Sequence, residues 1–393
     1  MPPDSPAPLR TPALVVVGGS VRFLANSCRQ AGWQVYAADR FGDRDLLDAA
    51  AGFRPLPSDL DQAEDPFPEW PDAPFLFTGG LENHPAFLER LAATHPIAAA
   101  SPSAVRAVRD LAALARVAAD VGLRVPQTHT TPAGLPFDGS YLVKPVASVG
   151  GQGIALWRGG PTPPRPSHWQ RRCQGISYGV SVVIRERASA ELLGVCERLP
   201  CRNSTAAPGW AYAGSVTVPT PAWADTVLAF ADQLASQHGL RGVVGIDCLA
   251  NDSQPITILE VNPRPTASME LFERTRGLSI ARCHLDAIGF ASPQTTGPQH
   301  SAAPASGKAI LFTDAAMRIE PDFADALAQC AAEWSVDNAL PVLADLPQHQ
   351  TCVPAASPLL TLFADAETSN DVNACLLERL SQLRTLCNRF SGS

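Results

Sequence analysis

The sequence predicts an α/β protein whose first part is a doubly wound sheet and whose remainder is α+β. Over the first hundred residues, short apolar runs alternate with helix patterns, which is typical of a sheet with helices on both faces. Strand-forming residues then dominate, beginning near residue 140. A chain of 393 residues is also too long for one ordinary core, so we expect two or three domains.

The N-terminal strands are short and continuously apolar. Residues 13–17 read ALVVV and end at a glycine pair, as expected for a strand buried on both faces. We expect a helix over 20–31 with Ser20 as its N-cap. The segments WQVYAAD and PFLFTGG are the next predicted strands, and the helix HPAFLERLAATH follows the latter.

The first glycine turn also hints at a dinucleotide-binding fold, because Asp39 follows it by about twenty residues. The residues Gly18, Gly19 and Ser20 nevertheless lack the G-x-G-x-x-G order. We therefore expect a Rossmann-like fold that does not bind NAD.

Further along, a helical segment over 103–122 precedes two strand-like runs around a glycine loop, SYLVKPVASVGGQGIALW. GVSVVIRE and LLGVCERLP are expected to continue that sheet. A helix should follow from VTVPTPAWADTVLAFADQLASQHG, and then a hairpin around Asn251 and Asp252. Residues 292–307 are a predicted linker or exposed loop. KAILFTD and LLTLFAD are predicted strands, and a terminal helix is expected near 371–388.

Composition excludes several classes of function. The net charge of −8 argues against a phosphate-backbone binder, and no apolar run approaches the roughly 20 residues that a membrane helix needs. We therefore expect neither nucleic-acid nor membrane partners. Residues 1–10 look like a short leader and not a signal peptide. The ten cysteines contain no C-x-x-C pair, so a reduced, cytoplasmic protein with cysteines mostly in its core is expected.

Three oxygen-bearing side chains are expected to meet on the hairpin. Glu260 and Asn262 are two apart, so they project from the same strand face, and the turn can bring Asp247 beside them. Two carboxylates and an amide oxygen suit Mg²⁺. The alternative is an acid that caps a loop and an asparagine in a turn.

The glycine loop suggests a site for phosphate groups. Lys144 ends a strand, and Ser148, Gly150, Gly151 and Gly153 follow. Glycines let backbone amides approach phosphate oxygens, and a lysine neutralises their charge. The loop lacks the G-K-[ST] of a Walker motif, and an ordinary hairpin turn is the alternative reading.

Taken together, the lysine, the glycine loop and the later D…E-x-N-P-R set resemble the ATP-grasp superfamily of ATP-dependent carboxylate–amine ligases. The stretch WQRRCQGISYGVSVVI adds Gln170, Gly175 and Ser181, where that family's linker to adenine usually runs. The resemblance covers residues 100–270. It implies an ATP-grasp fold with a Rossmann-like substrate domain over 1–100, a central subdomain over 101–190 and a C-terminal subdomain with an extension over 191–393.

One position departs from the family pattern. Many members place a first nucleotide-binding lysine in the helix before the central domain, where this chain has Leu111 beside Arg109 and Asp110. Either Arg109 takes the place of that lysine, or Lys144 holds the α-phosphate without it.

The ends of the chain resemble a narrower branch, the carboligases related to biotin carboxylase that include tyramine–glutamate ligases. The stretches concerned are GSVRFLANSCRQAGWQVYAADRFGDRDL, FTGGLEN, NPRPTASMEL and the tail LADLPQHQTCVPAASPLLTLFADAET. This resemblance implies that a glutamate-like acid is joined to a small amine in one-carbon carrier synthesis. It also implies ATP with Mg²⁺ or Mn²⁺ as cofactors, and many relatives form homodimers.

The mechanism that the resemblance implies is phosphoryl transfer followed by amide formation. A substrate carboxylate attacks the γ-phosphate of ATP, and an amine then attacks the acyl phosphate. Asp247, Glu260 and Asn262 would hold the metal, and Lys144 with the glycine loop would hold the phosphates. Arg264 would stabilise the transferred group, since its planar fork matches phosphate.

Several other residues remain open. Ser268 and Glu270 could face the substrate, and Arg274 and Arg276 could meet a carboxylate, although a solvated helix face is the alternative for each. The segment 82–84 could contact substrate or, through Asn83, cap a helix. His84 and His284 are expected to be structural or exposed, and residues 171–174 a solvated edge.

Two alternatives to the ligase also stay open. One is a carboxylase that activates bicarbonate, which would need a separate biotin carrier because the chain has no MKM sequence. The other is a non-catalytic nucleotide-binding module.

Overall fold

The computed structural model describes residues 11–62, 70–161, 163–186, 189–201, 209–251, 254–291, 293, 303–335 and 340–390. The predicted leader at 1–10 and Asp252 of the predicted hairpin turn lie outside the described residues, as does most of the predicted linker at 292–307.

The N-terminal region contains a four-stranded parallel sheet in the order β3-β2-β1-β4. Its elements are β1 (Ala13–Val17), α1 (Arg22–Gln30), β2 (Gln34–Asp39), α2 (Arg44–Leu47), β3 (Gly52–Pro55), β4 (Phe75–Phe77) and, after a 3-10 helix at Leu81–Asn83, α3 (Pro85–Thr94). β1 pairs with β2 on one side and β4 on the other, and its residues 14–17 are buried. The predicted Rossmann-like arrangement is confirmed.

The first helix begins later than predicted. Val21, not Ser20, occupies its N-cap position, and the Ser20 carbonyl instead accepts a hydrogen bond from Thr78 Oγ1 at 2.9 Å. Asp39, at the end of β2, accepts the Val21 N–H at 3.4 Å. A carboxylate from the next strand therefore takes part of the capping role predicted for Ser20.

The predicted helical segment 103–122 is two helices, α4 (Pro102–Arg109) and α5 (Leu111–Asp120). Asp110 between them is extended and accepts the N–H groups of Ala112 and Ala113, because aspartate is a strong N-cap residue. The break leaves Arg109 as the last residue of α4.

A small antiparallel sheet carries the glycine loop. Its strands are β5 (Thr128–His129), β6 (Tyr141–Pro145), β7 (Ala155–Leu156) and β8 (Ser167–Arg171), in the order β5-β8-β6-β7. The glycine loop joins β6 to β7, as predicted.

A larger, eight-stranded sheet forms the rest, in the order β13-β12-β9-β10-β11-β14-β18-β16. The elements in this part of the chain are β9 (Ile176–Arg185), β10 (Ser189–Arg198), β11 (Gly214–Val218), α6 (Ala224–His238), β12 (Gly242–Asn251), β13 (Gln254–Asn262), a 3-10 helix (Ala267–Met269), α7 (Glu270–Arg276), α8 (Ile280–Ala287), β14 (Ala305–Phe312), β15 (Met317–Arg318), α9 (Pro321–Trp334), β16 (Leu343–Ala344), β17 (Cys352–Val353), β18 (Pro358–Ala366) and α10 (Ser369–Phe390).

The expectation that β9 and β10 continue the glycine-loop sheet is wrong. They pair with each other, and β9 pairs with β12, because this places Val180, Val182 and Ile184 of β9 and Val195 of β10 in the main core. The domain boundary predicted at residue 190 stays a prediction; it falls within β10.

The C-terminal extension completes the large sheet. β14 pairs with β11 and β18, and α10 packs its leucines against them, so the predicted strands and terminal helix are confirmed. None of the ten cysteines, all of which the structure describes, forms a disulfide. Cys28, Cys196 and Cys248 are buried, and Cys283, Cys330, Cys375 and Cys387 pack half-buried against the core, so the expected core position holds fully for three cysteines and at the edge of the core for four. Within the described ranges, no helix is long and apolar enough to cross a membrane.

Candidate active site

A cleft of about 1930 Å³ lies between the N-terminal region, the small sheet and the large sheet. It is lined by all but one of the predicted site residues: Arg109, Lys144, Ser148, Gly150, Gly151, Gln170, Asp247, Glu260, Asn262 and Arg264. Gly153 does not line the cleft. It lies against Pro145 instead, because a Cβ added to Gly153 would approach Cγ of Pro145 to 2.8 Å. The fold therefore brings together residues that lie far apart in sequence.

The predicted metal residues stand on the paired strands β12 and β13. Asp247 lies directly opposite Glu260, and Asn262 Nδ2 donates to Asp247 Oδ2 at 3.5 Å. Desolvation and the neighbouring Asp247 carboxylate raise the pKa of Glu260. Two crowded carboxylates that resist joint ionisation favour a bound cation.

The donor set fits a small hard cation. Two carboxylates and the Asn262 amide oxygen are hard oxygen donors. In the described part of the chain, no three His, Cys, Asp or Glu side chains group closely enough to hold a metal. A metal here would therefore take its remaining ligands from the bound substrate or water.

Arg198 is a site residue that the sequence analysis missed. It projects from β10 and forms an ion pair with Asp247 at 3.3 Å, and its guanidinium lies 5.3 Å from the centre of the Tyr212 ring. Burial opposes its charge, but Asp247, together with Tyr212, Glu260 and Cys248, outweighs burial and raises the pKa of Arg198. The available signal was the charged pair Glu197 and Arg198, which directly follows the apolar run of β10.

Lys144 is held in place by a side chain of the adjacent strand. Its Nζ donates to Gln170 Oε1 at 2.7 Å, and Gln170 Nε2 donates to Thr128 Oγ1 at 3.3 Å. Burial lowers the pKa of Lys144, although Glu260 and Asp247 oppose this shift. A buried ammonium with a neutral partner is suited to bind an anion.

The glycine loop spans the cleft. Gly150, Gly151 and Gly153 have φ values of 59°, 77° and 75°, a region that other residues rarely adopt. The carbonyl of Gly150 accepts the Tyr212 N–H at 2.8 Å. A Cβ on Gly151 would lie 1.9 Å from the Trp210 carbonyl oxygen, so the close approach requires glycine.

Arg109 connects the loop to the carboxylates. Its Nη2 donates to Asn83 Oδ1 at 2.7 Å and to the Val146 carbonyl at 3.1 Å, and its Nη1 lies 3.6 Å from Glu260 Oε1. Asn83 also donates to the Ser148 carbonyl at 3.1 Å. The helix-cap alternative for Asn83 is therefore wrong; the N-cap of α3 is His84.

Arg264 makes several hydrogen bonds to neighbouring side chains that the sequence analysis did not predict. Its Nη2 and Nε donate to Glu82 Oε1 at 2.7 and 3.0 Å, and Nη2 also donates to Asn262 Oδ1 at 3.1 Å. Arg264 and Glu82 are only 9% and 4% exposed. Burial disfavours both charges, but mutual attraction raises the pKa of Arg264 and lowers that of Glu82.

The far end of the cleft holds a buried ionic network. Arg22 of α1 bonds to Glu270 and to Asp345, and Lys308 of β14 donates to Glu270 Oε2 and to the Ala267 carbonyl, both at 2.9 Å. The sequence analysis did not foresee this network, since its members come from separate regions of the chain.

The sequence comparison identifies one domain. A family model for the ATP-grasp domain matches residues 109–268, and no curated protein matches the chain. Among solved structures, L-amino acid ligase from Bacillus licheniformis is 14% identical with a TM-score of 0.65, over 94% of this chain and 97% of that one. The chain has the ATP-grasp fold.

Two further ATP-grasp structures are similar. N5-Carboxyaminoimidazole synthetase from Staphylococcus aureus, complexed with ADP, is 12% identical with a TM-score of 0.65, over 94% of this chain and 97% of that one. The biotin carboxylase domain dimer of Hydrogenobacter thermophilus 2-oxoglutarate carboxylase, in complex with MgADP, ADP and bicarbonate, is 12% identical with a TM-score of 0.64. That match covers 93% of this chain and 89% of the other. Identities this low establish the fold and leave the reaction open.

Two predicted carboxylate-binding residues lie away from the ATP-grasp cleft. Arg274 forms an ion pair with Asp365, and Arg276 donates to the Leu193 carbonyl at 2.6 Å. Both guanidinium groups are therefore engaged away from the cleft, because α7 turns this face toward the large sheet. The alternative of a solvated helix face is wrong for Arg274, which is buried. Ser268 does line the cleft, whereas Glu270 is engaged by Arg22 and Lys308.

The expected structural role of His284 is confirmed. Its Nδ1 accepts the Val243 N–H at 2.9 Å, and its Nε2 lies 3.1 Å from the Ala98 carbonyl. Burial lowers the pKa of His284 to about 4, so the ring is neutral near pH 7. The residues of the segment 171–174 are exposed except Cys173, which is half-buried.

Proposed function

We propose that this chain is an ATP- and Mg²⁺-dependent carboxylate–amine ligase that forms an amide bond through an acyl phosphate. The observation that carries the proposal is the pairing of Asp247 with Glu260, beside Asn262, in the same cleft as Lys144 and the glycine loop. The ATP-grasp fold supports the nucleotide, and the fold neighbours include an amino acid ligase.

Asp247, Glu260 and Asn262 would hold Mg²⁺ or Mn²⁺, which neutralises phosphate charge when it is bound. Arg198 pairs with Asp247 and balances the charge of this carboxylate. On metal binding it would release this carboxylate or share it.

Lys144 would bind phosphate oxygens of ATP, with Gln170 fixing the ammonium by accepting one of its protons in a hydrogen bond. Arg109 is the second cation beside the glycine loop. It contacts both Glu260 and the carbonyl of Val146, just before that loop. The glycine loop would cover the γ-phosphate with its backbone amides and exclude water.

Arg264 would stabilise the charge that moves from ATP to the substrate carboxylate. Glu82 accepts hydrogen bonds from Nε and Nη2 of Arg264. Among the described residues, Nη1 of Arg264 hydrogen-bonds only to the Pro265 carbonyl, at 3.3 Å. Because its guanidinium is already oriented, Arg264 would lose little entropy when it binds the acyl phosphate. The reaction then needs positioning and charge neutralisation, and no covalent role for the protein.

For the substrates, we infer a glutamate-like acid and a small amine, joined during the synthesis of a one-carbon carrier cofactor in the cytoplasm. The support is the resemblance of the outer segments, such as FTGGLEN, to the tyramine–glutamate ligase branch. A homodimer is part of the same inference.

The test is ADP release from Mg·ATP with pooled acids and amines, followed by the mass of the product. Glu260→Ala removes a metal-binding carboxylate and should abolish release. Glu191→Ala is the matched control, because its side chain is exposed and pairs only with Arg185 among the described residues. ADP that forms only when acid and amine are both present supports the ligase. Release that needs bicarbonate and no amine would replace it with a carboxylase, and nucleotide binding without turnover in any pool would contradict catalysis.

A further inference from the structure

Each of the three proposed metal-binding side chains contacts an arginine. Measured from a guanidinium nitrogen to a side-chain oxygen, the pairs are Arg198 with Asp247 at 3.3 Å, Arg109 with Glu260 at 3.6 Å and Arg264 with Asn262 at 3.1 Å. A divalent cation that binds these oxygens must therefore compete with guanidinium groups for them.

Two of these arginines are anchored by other acceptors. Arg264 donates two hydrogen bonds to Glu82. Arg109 donates to Asn83 Oδ1 and to the Val146 carbonyl. Moving either guanidinium away from the metal-binding side chains would break these bonds, so we expect both arginines to stay in place.

Arg198 has no such anchor. Within the described residues, Asp247 is its only ion-pair partner, and no other residue there accepts a hydrogen bond from its guanidinium. The side chain of Arg198 is 34% exposed and lines the cleft, and its guanidinium lies over the Tyr212 ring. A guanidinium that rests on an aromatic face can exchange one anionic partner for another and keep that contact.

The charges around the metal-binding side chains favour a metal that arrives with an anion. Arg264 is neutralised by Glu82. The two metal-binding carboxylates, when ionised, are matched by the guanidinium groups of Arg198 and Arg109. A divalent cation alone would therefore add unbalanced positive charge beside Lys144, whereas a complex of the metal with ADP or ATP brings net negative charge.

Arg198 is also close to the proposed phosphate site. Arg198 and Lys144 both line the cleft. Burial lowers the pKa of Lys144, and the Arg198 guanidinium adds to this shift, whereas Glu260 and Asp247 oppose it. Two cations this close can bind one polyphosphate chain, and a guanidinium can donate to phosphate oxygens through two of its nitrogens.

We propose that Arg198 competes with the divalent cation for Asp247, and that it moves to a phosphate oxygen when a metal–nucleotide complex binds. Arg198 thereby weakens the binding of the metal alone and strengthens the binding of the metal with its nucleotide. This inference rests on the metal and nucleotide sites of the proposed function, and it does not depend on which acid or amine is joined.

The test measures Mn²⁺ binding to the full chain by electron paramagnetic resonance at pH 7.5, first with Mn²⁺ alone and then with Mn·ADP. We expect Arg198→Met to bind Mn²⁺ alone more tightly than the wild type by about tenfold or more, because Asp247 then has no competing cation. Mn·ADP should bind Arg198→Met no more tightly than the wild type, because the variant also lacks a phosphate contact.

Two variants and a second readout separate charge from structure. Arg198→Lys keeps the charge, so its affinity for Mn²⁺ alone should stay near that of the wild type. Arg185→Met is the matched control, because Arg185 lies on the strand beside β10 and pairs with the exposed Glu191; both affinities should be unchanged in it. Mn²⁺ alone should raise the urea midpoint of Arg198→Met more than that of the wild type.

Equal affinities of the wild type and Arg198→Met for Mn²⁺ alone would overturn the proposal. The same tightening in Arg198→Lys would also overturn it, because charge would then not be the cause. Binding is read without turnover. A protein with the expected Mn²⁺ affinities that never releases ADP would therefore refute the ligase alone, and a working ligase whose Mn²⁺ affinity is unchanged in Arg198→Met would refute this inference alone.

Discussion

Replacing Glu82 with glutamine should destabilise the protein by breaking a buried ion pair between two regions of the chain. Glu82 follows β4 in the N-terminal region, and its partner Arg264 follows β13 of the large sheet. Their side chains are 3% and 11% exposed. Glutamine has nearly the same shape, so the perturbation is the charge and one acceptor.

The magnitude follows from the hydrogen bonds. Glu82 Oε1 accepts both bonds from Arg264, while Oε2 accepts the Gly80 N–H at 2.8 Å. Whichever way the new side-chain amide is turned, its NH₂ group faces a donor, so at least one buried bond is lost. Removing one partner of a buried ion pair costs ~3–5 kcal/mol, and we expect the free energy of unfolding to fall within that range.

The assay is urea unfolding at pH 7.5, followed by fluorescence and circular dichroism. Glu89→Gln is the matched control, because Glu89 pairs with Arg106 on the surface, with side chains 47% and 48% exposed. Exposed pairs contribute ~0–1 kcal/mol. The double variant Glu82→Gln/Arg264→Met should recover part of the loss, since it no longer buries an unpaired guanidinium.

The pH dependence has a defined sign. The pKa of Glu82 is lowered in the folded protein, so its contribution is present above the unfolded value of about 4.3 and is lost as pH falls through the folded value. The difference between wild type and Glu82→Gln should therefore shrink below about pH 4. A loss under ~1 kcal/mol at pH 7.5, or one equal to that of Glu89→Gln, would refute the reasoning.

Two other predictions concern backbone and burial. Gly151→Ala should reduce the rate of ADP release at least tenfold, because the new Cβ would meet the Trp210 carbonyl. Gly122 has the same φ of 77° but no atom within 4 Å of an added Cβ, so Gly122→Ala should keep a rate near that of the wild type. Equal rates for the two variants would contradict a steric role for Gly151. His284 has a lowered folded pKa of about 4, so the stability that its neutral form supports is fully present above an unfolded pKa of about 6.5 and is lost as pH falls toward 4. Urea midpoints between pH 7.5 and 5 should fall more steeply in wild type than in His284→Gln, and parallel slopes would contradict this.

Local patterns in the sequence determined the main elements and most of the candidate site. Apolar runs predicted β1 and β4 of the first sheet, because a buried parallel strand has few alternatives. The spacing of Glu260 and Asn262 placed both on one strand, and the turn before them brought Asp247 opposite Glu260, as the register confirms. These features depend on neighbours within a few residues or on one hairpin.

Tertiary structure decided which charges meet. Arg198, Glu82 and Lys308 contact the cleft through strands and loops that are distant in sequence. Arg274, in contrast, does not reach the cleft, because its guanidinium forms an ion pair with Asp365. A charged side chain carries no local signal for its partner, because Coulomb attraction acts across space and depends on burial.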